Sequence, residues 1–235
     1  MGGAGVRLHS ASAEHAPLRR KYGDLDFVVT SKQRGAVQKL FESLGYQGDR
    51  RFNTLNGAQR LLYLDAENGR QVDIFVDVMR MCHVIDLRNR LSGTGPSLLP
   101  ADLLLSKMQI YEINQKDLVD IVALLIDHDV ADHDDDAINA AYLAKLTAED
   151  WGLYRTIELN VARVQAFASE FGYPVAASAV TALLRLFEAL EVAPKSTRWK
   201  LRAKVGDRVR WYELPEEALR PPTTLEGGSG SAEPR

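Results

Sequence analysis

Two aspartates stand two residues apart in Asp24-Leu25-Asp26-Phe27, and a third, Asp73, interrupts the apolar run Val72-Asp73-Ile74-Phe75. Side chains at i and i+2 of a strand leave it on the same side, so Asp24 and Asp26 can converge while Leu25 and Phe27 face a core. With a carboxylate from a neighbouring strand they would make a hard, oxygen-lined cradle suited to Mg²⁺, an ion that keeps several waters and takes its remaining ligands from substrate phosphates. Cations held this way activate an attacking oxygen and neutralise a triphosphate, the layout of phosphoryl or nucleotidyl transfer. Asp77 competes with Asp73 for the third place, because it lies four residues on in the same run and so on the same strand face.

These residues need a strand, a helix and a second strand to hold them. The run 25–29 reads as a strand, followed by a helix in which Val37, Leu40, Phe41 and Leu44 recur at helical spacing and Gly45 ends the last turn. Residues 60–64 and 71–78 read as a hairpin around Asn68-Gly69. From Pro100 the pattern turns helical. One apolar helix runs to about Tyr111, and a second is capped by Asn114 and runs to about Ile126. A short helix ends near Leu146. Thr147-Ala148-Glu149-Asp150 reads as the capping box of a helix to about Phe171, and a last helix spans Val175 to Leu190. The expected fold class is therefore α/β (α+β): a small mixed sheet flanked by helices over residues 1–99, a mainly helical region over 100–213, and a disordered tail over 214–235, where Pro, Gly, Ser and Glu dominate.

The succession Gly2-Gly3, Asp24-Leu25-Asp26-Phe27 and Asp73 resembles the nucleotidyltransferase superfamily typified by DNA polymerase β, and the likeness covers roughly residues 2 to 78. That family carries a glycine turn, an Asp-hydrophobic-Asp-hydrophobic strand and a distal Asp flanked by apolar residues, which favours Asp73 over Asp77. It also carries a helix ahead of the glycine turn, where this chain begins at Met1, and a shorter interval than the one from Gly3 to Asp24. Leu105-Ser106-Lys107-Met108-Gln109 and Lys116-Asp117-Leu118-Val119-Asp120 are similar to later motifs of the AbiEii-like and MenT-like toxin branch. The resemblance implies that Asp24, Asp26 and Asp73 hold Mg²⁺ and that Lys107 binds the triphosphate of an NTP substrate. Gly2 and Gly3 would hold phosphate through backbone N–H groups, and Lys116 and Asp120, i and i+4 on a helix, would line the cleft. It also implies a toxin–antitoxin setting, leaving open whether a cognate antitoxin exists. The acceptor it implies is a tRNA 3′ end, a protein side chain or a small molecule such as an aminoglycoside.

Between Lys195 and Arg210 the chain sets Arg198, Lys200, Arg202, Lys204, Arg208 and Arg210 among Trp199, Trp211 and Tyr212, a composition able to bind phosphates and stack on bases, and this favours RNA as acceptor. The same alternation also describes a half-buried strand turning at Gly206-Asp207. His128-Asp129 and His133-Asp134-Asp135-Asp136 read as loop and cap chemistry rather than a metal site, and Cys82-His83 as buried structural residues that would point to opposite strand faces. With 29 Lys and Arg against 32 Asp and Glu, the 235-residue chain carries a net charge of −3, so any polyanion site must be local. A single cysteine excludes an internal disulfide, and no run approaches the ~20 apolar residues of a spanning helix, which makes a cytoplasmic protein without membrane contact the expectation. Phosphate-binding P-loops, serine-hydrolase elbows and zinc-protease helices are missing from the sequence. Two readings outside active transfer stay open: a catalytically idle member that binds a nucleotide or partner, and an antitoxin-like interaction protein.

Overall fold

A computed structural model describes residues 1–91 and 95–214, so the expected tail lies outside the described residues apart from Leu214. The α+β class is what the chain forms. Six strands make one mixed sheet: β1 (Asp24–Val29), β2 (Gln47–Gly48), β3 (Arg60–Asp65), β4 (Arg70–Val76), β5 (Val78–Arg80) and β6 (Val84–Asp86). The path runs β2-β3-β4-β5-β6 antiparallel, and β1 lies parallel to β4. In this half lie α1 (Gly2–His9), α2 (Arg34–Ser43) and α3 (Arg50–Asn56). The second half contains α4 (Pro100–Met108), α5 (Gln115–Asp127), α6 (Ala140–Glu149), α7 (Trp151–Ser169), α8 (Val175–Val192) and α9 (Thr197–Val205). A small parallel ribbon, β7 (Val130–Ala131) with β8 (Ile138–Asn139), joins α5 to α6.

Strand alternation divides the sheet's side chains between two cores. Leu25, Val29, Val72 and Ile74 pack with Leu61 and Tyr63 against Phe41 of α2. The opposite face sends Val28 and Phe75 into a larger core with Val6 of α1, Leu103–Leu105 of α4 and Ile121 and Leu124 of α5. One continuous core thus crosses residue 100. Pro100 starts α4 without needing an N–H partner, and every residue of that helix is buried. A helix buried all round must find its polar partners inside the protein, which sets the problem Lys107 has to solve. No helix among the described residues is long and apolar enough to cross a membrane.

Three expectations are corrected. The cap of α7 is Asp150, whose carboxylate accepts from the Leu153 N–H at 3.1 Å, while Thr147 lies inside α6 and its hydroxyl donates back to the Leu143 carbonyl. The strand reading of 195–210 fails because Ser196 caps a helix there, with Trp199 turned against Tyr154 at 5.4 Å. Two-residue alternation of basic and apolar side chains could not outweigh a cap followed by good helix formers. Cys82 and His83 sit in the bend between β5 and β6 rather than on a strand, and both are buried.

His83 receives a partner on each side. Its main-chain N–H donates to Gln109 Oε1 at 2.9 Å, and its Nε2 lies 2.8 Å from Thr156 Oγ1. Burial pushes the imidazole down to about 4, against a weaker opposing pull from Asp150. The unfolded chain protonates this histidine near 6.5 while the folded protein resists, so its contribution to stability is complete above pH 6.5 and is lost as pH falls towards 4. That gap corresponds to at most about 3 kcal/mol. The urea midpoint of the wild-type protein should therefore fall more steeply between pH 6.5 and 4 than that of His83→Gln; parallel curves would contradict this account.

Candidate active site

The parallel pairing of β1 with β4 sets Asp26 opposite Asp73 and Asp24 opposite Gln71. Asp24 and Asp26 share a strand side with Val28, and Asp73 shares one with Phe75, as alternation requires. All three carboxylates line a cavity of about 360 Å³ between the sheet and α4. Asp77 is excluded from it. β4 ends at Val76, and Asp77 takes a left-handed backbone conformation (φ 62°) in the turn to β5, with its carboxylate accepting from the Ser31 N–H at 2.9 Å. The strand periodicity that put Asp77 beside Asp73 stops one residue too early.

Asp73 is held firmly: Arg60 Nε donates to one oxygen at 2.7 Å and Gln71 Nε2 to the other at 3.1 Å. Asp24 and Asp26 differ, since neither carboxylate makes a hydrogen bond or ion pair with a protein group among the described residues. Burial, and then the neighbouring Asp24 charge, push Asp26 up to about 6. Lys107 and the Met1 nitrogen offset this push on the part-buried Asp26 only in part, Asp24 is exposed, and the all-oxygen donors of the pair suit a hard cation. Asp73 retains lone pairs beyond its two hydrogen bonds, so the donor set fits Mg²⁺.

The glycines supply clearance. Gly2 and Gly3 form the first turn of α1 rather than a free turn, and both border the cavity. Gly2 has φ 60°, and a Cβ there would come within 1.9 Å of Asp26 Oδ2; one on Gly3 would come within 1.9 Å of Arg20 Nη2. The Met1 nitrogen donates to the Asp26 carbonyl at 2.7 Å, fixing the start of α1 against β1. The long interval from Gly3 to Asp24 is thus occupied by α1 and a 3₁₀ turn at Ala11–Glu14, which pack on α4 and α5.

Lys107 reaches the cavity from α4, and its Nζ lies 2.8 Å from Asp117 and 3.1 Å from Asp120. Burial alone would lower its pKa, but the two carboxylates outweigh that and hold it above the ordinary lysine value. Asp120, whose side chain is 1% exposed, also accepts two 2.7 Å bonds from Arg20. Of the two residues expected to line the cleft, Lys116 is exposed at the cavity rim, while Asp120 does not line the cavity and turns inward to Arg20 and Lys107. Helical spacing brought the two onto neighbouring positions, but Arg20 and Lys107 decided which way the carboxylate points. Arg60, Gln71 and Arg20 are the residues that motif reading missed. Only Arg20 left a trace, in the basic run Arg19-Arg20-Lys21.

The basic segment is partly self-occupied. Arg202 donates to the Gly206 and Val209 carbonyls, and Arg208 to those of Lys204 and Val205. Beyond it, Tyr212 stacks on Tyr111 at 3.8 Å, and Tyr111 borders the cavity. Among the described residues, one trio of His, Cys, Asp or Glu brings its donor atoms within 4.8 Å of one another, and it is His9, His128 and Asp136 rather than the three aspartates. Comparison of the chain with protein-family models, with curated proteins and with solved structures returns no match.

Removing Asp120 leaves Arg20 without its carboxylate and Lys107 with Asp117 alone, whereas removing Arg20 leaves Asp120 still paired with Lys107. Asp120→Ala should cost about 3 kcal/mol in denaturant unfolding, and Arg20→Met distinctly less, because Asp120 then keeps Lys107. Equal losses would show that Asp120 is not the hub of the cluster.

Proposed function

We propose that the chain is a nucleotidyltransferase that moves a nucleoside monophosphate from an NTP to an acceptor hydroxyl. The observation that carries this reading is the unpaired Asp24–Asp26 pair, in register with the Arg60-held Asp73 and facing a cavity backed by Lys107. Mg²⁺ held by these carboxylates would neutralise charge on the triphosphate and lower the pKa of the attacking hydroxyl. Asp73 is oriented by Arg60 and Gln71 to accept the hydroxyl proton as the new oxygen–phosphorus bond forms at the α-phosphate. The bond to the β-phosphate breaks and pyrophosphate leaves. Two of the three Lys107 protons serve Asp117 and Asp120, and the third is left for a phosphate oxygen; Lys116 at the rim meets the outer phosphates. Gly2 and Gly3 leave room at the start of α1 for the Asp26 carboxylate and the Arg20 guanidinium.

RNA is the acceptor this reading favours, because the Tyr212–Tyr111 stack links the basic segment to the cavity mouth, with Arg210 lying 4.9 Å over the Tyr212 ring. The idle nucleotide-binding reading is supported by one observation: carboxylate oxygens of the three aspartates do not all come within 4.8 Å of one another.

Incubation with each labelled NTP, Mg²⁺ and total cellular RNA should label RNA of discrete size, and Asp24→Ala/Asp26→Ala should lower the rate by about 10³-fold or more. Label on the protein would make a side chain the acceptor. Nucleotide binding by calorimetry without turnover would favour the idle reading, and full activity in the double variant would sink the proposal.

A further inference from the structure

A second cluster lies at the other end of α1. His9 is the last residue of that helix, His128 follows the last turn of α5, and Asp136 stands in the loop between β7 and β8. One donor atom from each falls within 4.8 Å of the other two. The His128 side chain is 1% exposed, its Nδ1 lies 3.0 Å from the Asp136 carbonyl and 3.3 Å from the Asp136 carboxylate, and its Nε2 is buried with no hydrogen-bond partner. An orphaned buried imidazole nitrogen is costly and needs a reason. Asp136 adopts a left-handed conformation (φ 51°) that non-glycine residues rarely take, a second local cost at the same place.

We propose that His9, His128 and Asp136 bind a zinc-class divalent ion, with three protein ligands and a fourth position left to water. Two imidazoles and one carboxylate suit zinc and its neighbours, whereas Mg²⁺ prefers all-oxygen sites, so this set is chemically separate from the aspartate cavity. Metal–ligand bonds of about 2.0–2.2 Å place tetrahedral donors roughly 3.3 Å apart. Donors within 4.8 Å of one another close to that spacing by a movement of up to about 1.5 Å, available to the part-exposed His9 and the exposed Asp136. The ion joins the end of α1 to the end of α5, about 10 Å along α1 from the glycines under Asp26. The inference does not depend on nucleotidyl transfer.

The test is titration of the untagged, chelator-stripped full chain with Zn²⁺ against a chromophoric chelator in millimolar Mg²⁺. One equivalent should bind. Affinity should fall at least tenfold in His9→Gln and in Asp136→Asn, two changes outside the core whose folding is checked by circular dichroism. It should be unchanged in His133→Gln and in Asp24→Ala/Asp26→Ala. No stoichiometric uptake, equal uptake by His9→Gln, or loss of uptake in the Asp24/Asp26 variant would each overturn the assignment.

Discussion

Asp120 is the charge around which the two halves of the protein are arranged. Burying an ion costs several kcal/mol unless its partners are close and well aligned, and Asp120 has two such partners from distant parts of the chain. Arg20 comes from the segment that leads into β1, and Lys107 comes from the fully buried α4. The ion cluster therefore fixes how β1 enters the sheet relative to the helical half. Since Asp24 and Asp26 lie only a few residues beyond Arg20, their placement over the cavity follows from the same constraint.

The cavity shows the opposite economy. Asp73 has its donors and Asp120 its cations, yet Asp24 and Asp26 repel one another with no protein partner. Stability would be served by a lysine or an apolar residue at either position. The part-buried Asp26, pushed up by burial and by Asp24, is the perturbed carboxylate of the cavity, and such groups cluster at functional sites. Glycines at the first turn of α1 serve the same end, because any side chain at Gly2 would occupy the space of the Asp26 carboxylate.

α1 carries different chemistry at its two ends. Hard carboxylate oxygens meet its first turn, and imidazole nitrogens meet its last. A helix of eight residues is too short to be stable by itself, so its position depends on what each end touches. Val6 anchors its middle in the main core.

Much of the secondary structure could be read from the chain: β1, the β3–β4 hairpin, α2 with Gly45, and α5 with its Asn114 cap follow from periodicity and caps, which are local properties. The shared face of Asp24 and Asp26 was legible for the same reason. What required the tertiary structure was every choice among partners. The register of β1 on β4 put Asp73 opposite Asp26, a one-residue stop of β4 removed Asp77, and Arg20 and Lys107 drew Asp120 inward from the cleft. His9 and His128, 119 positions apart in sequence, meet only because α1 packs on α5. Local patterns report which side of an element a residue faces; which residue it meets is set by long-range packing and by the cost of leaving a buried charge alone.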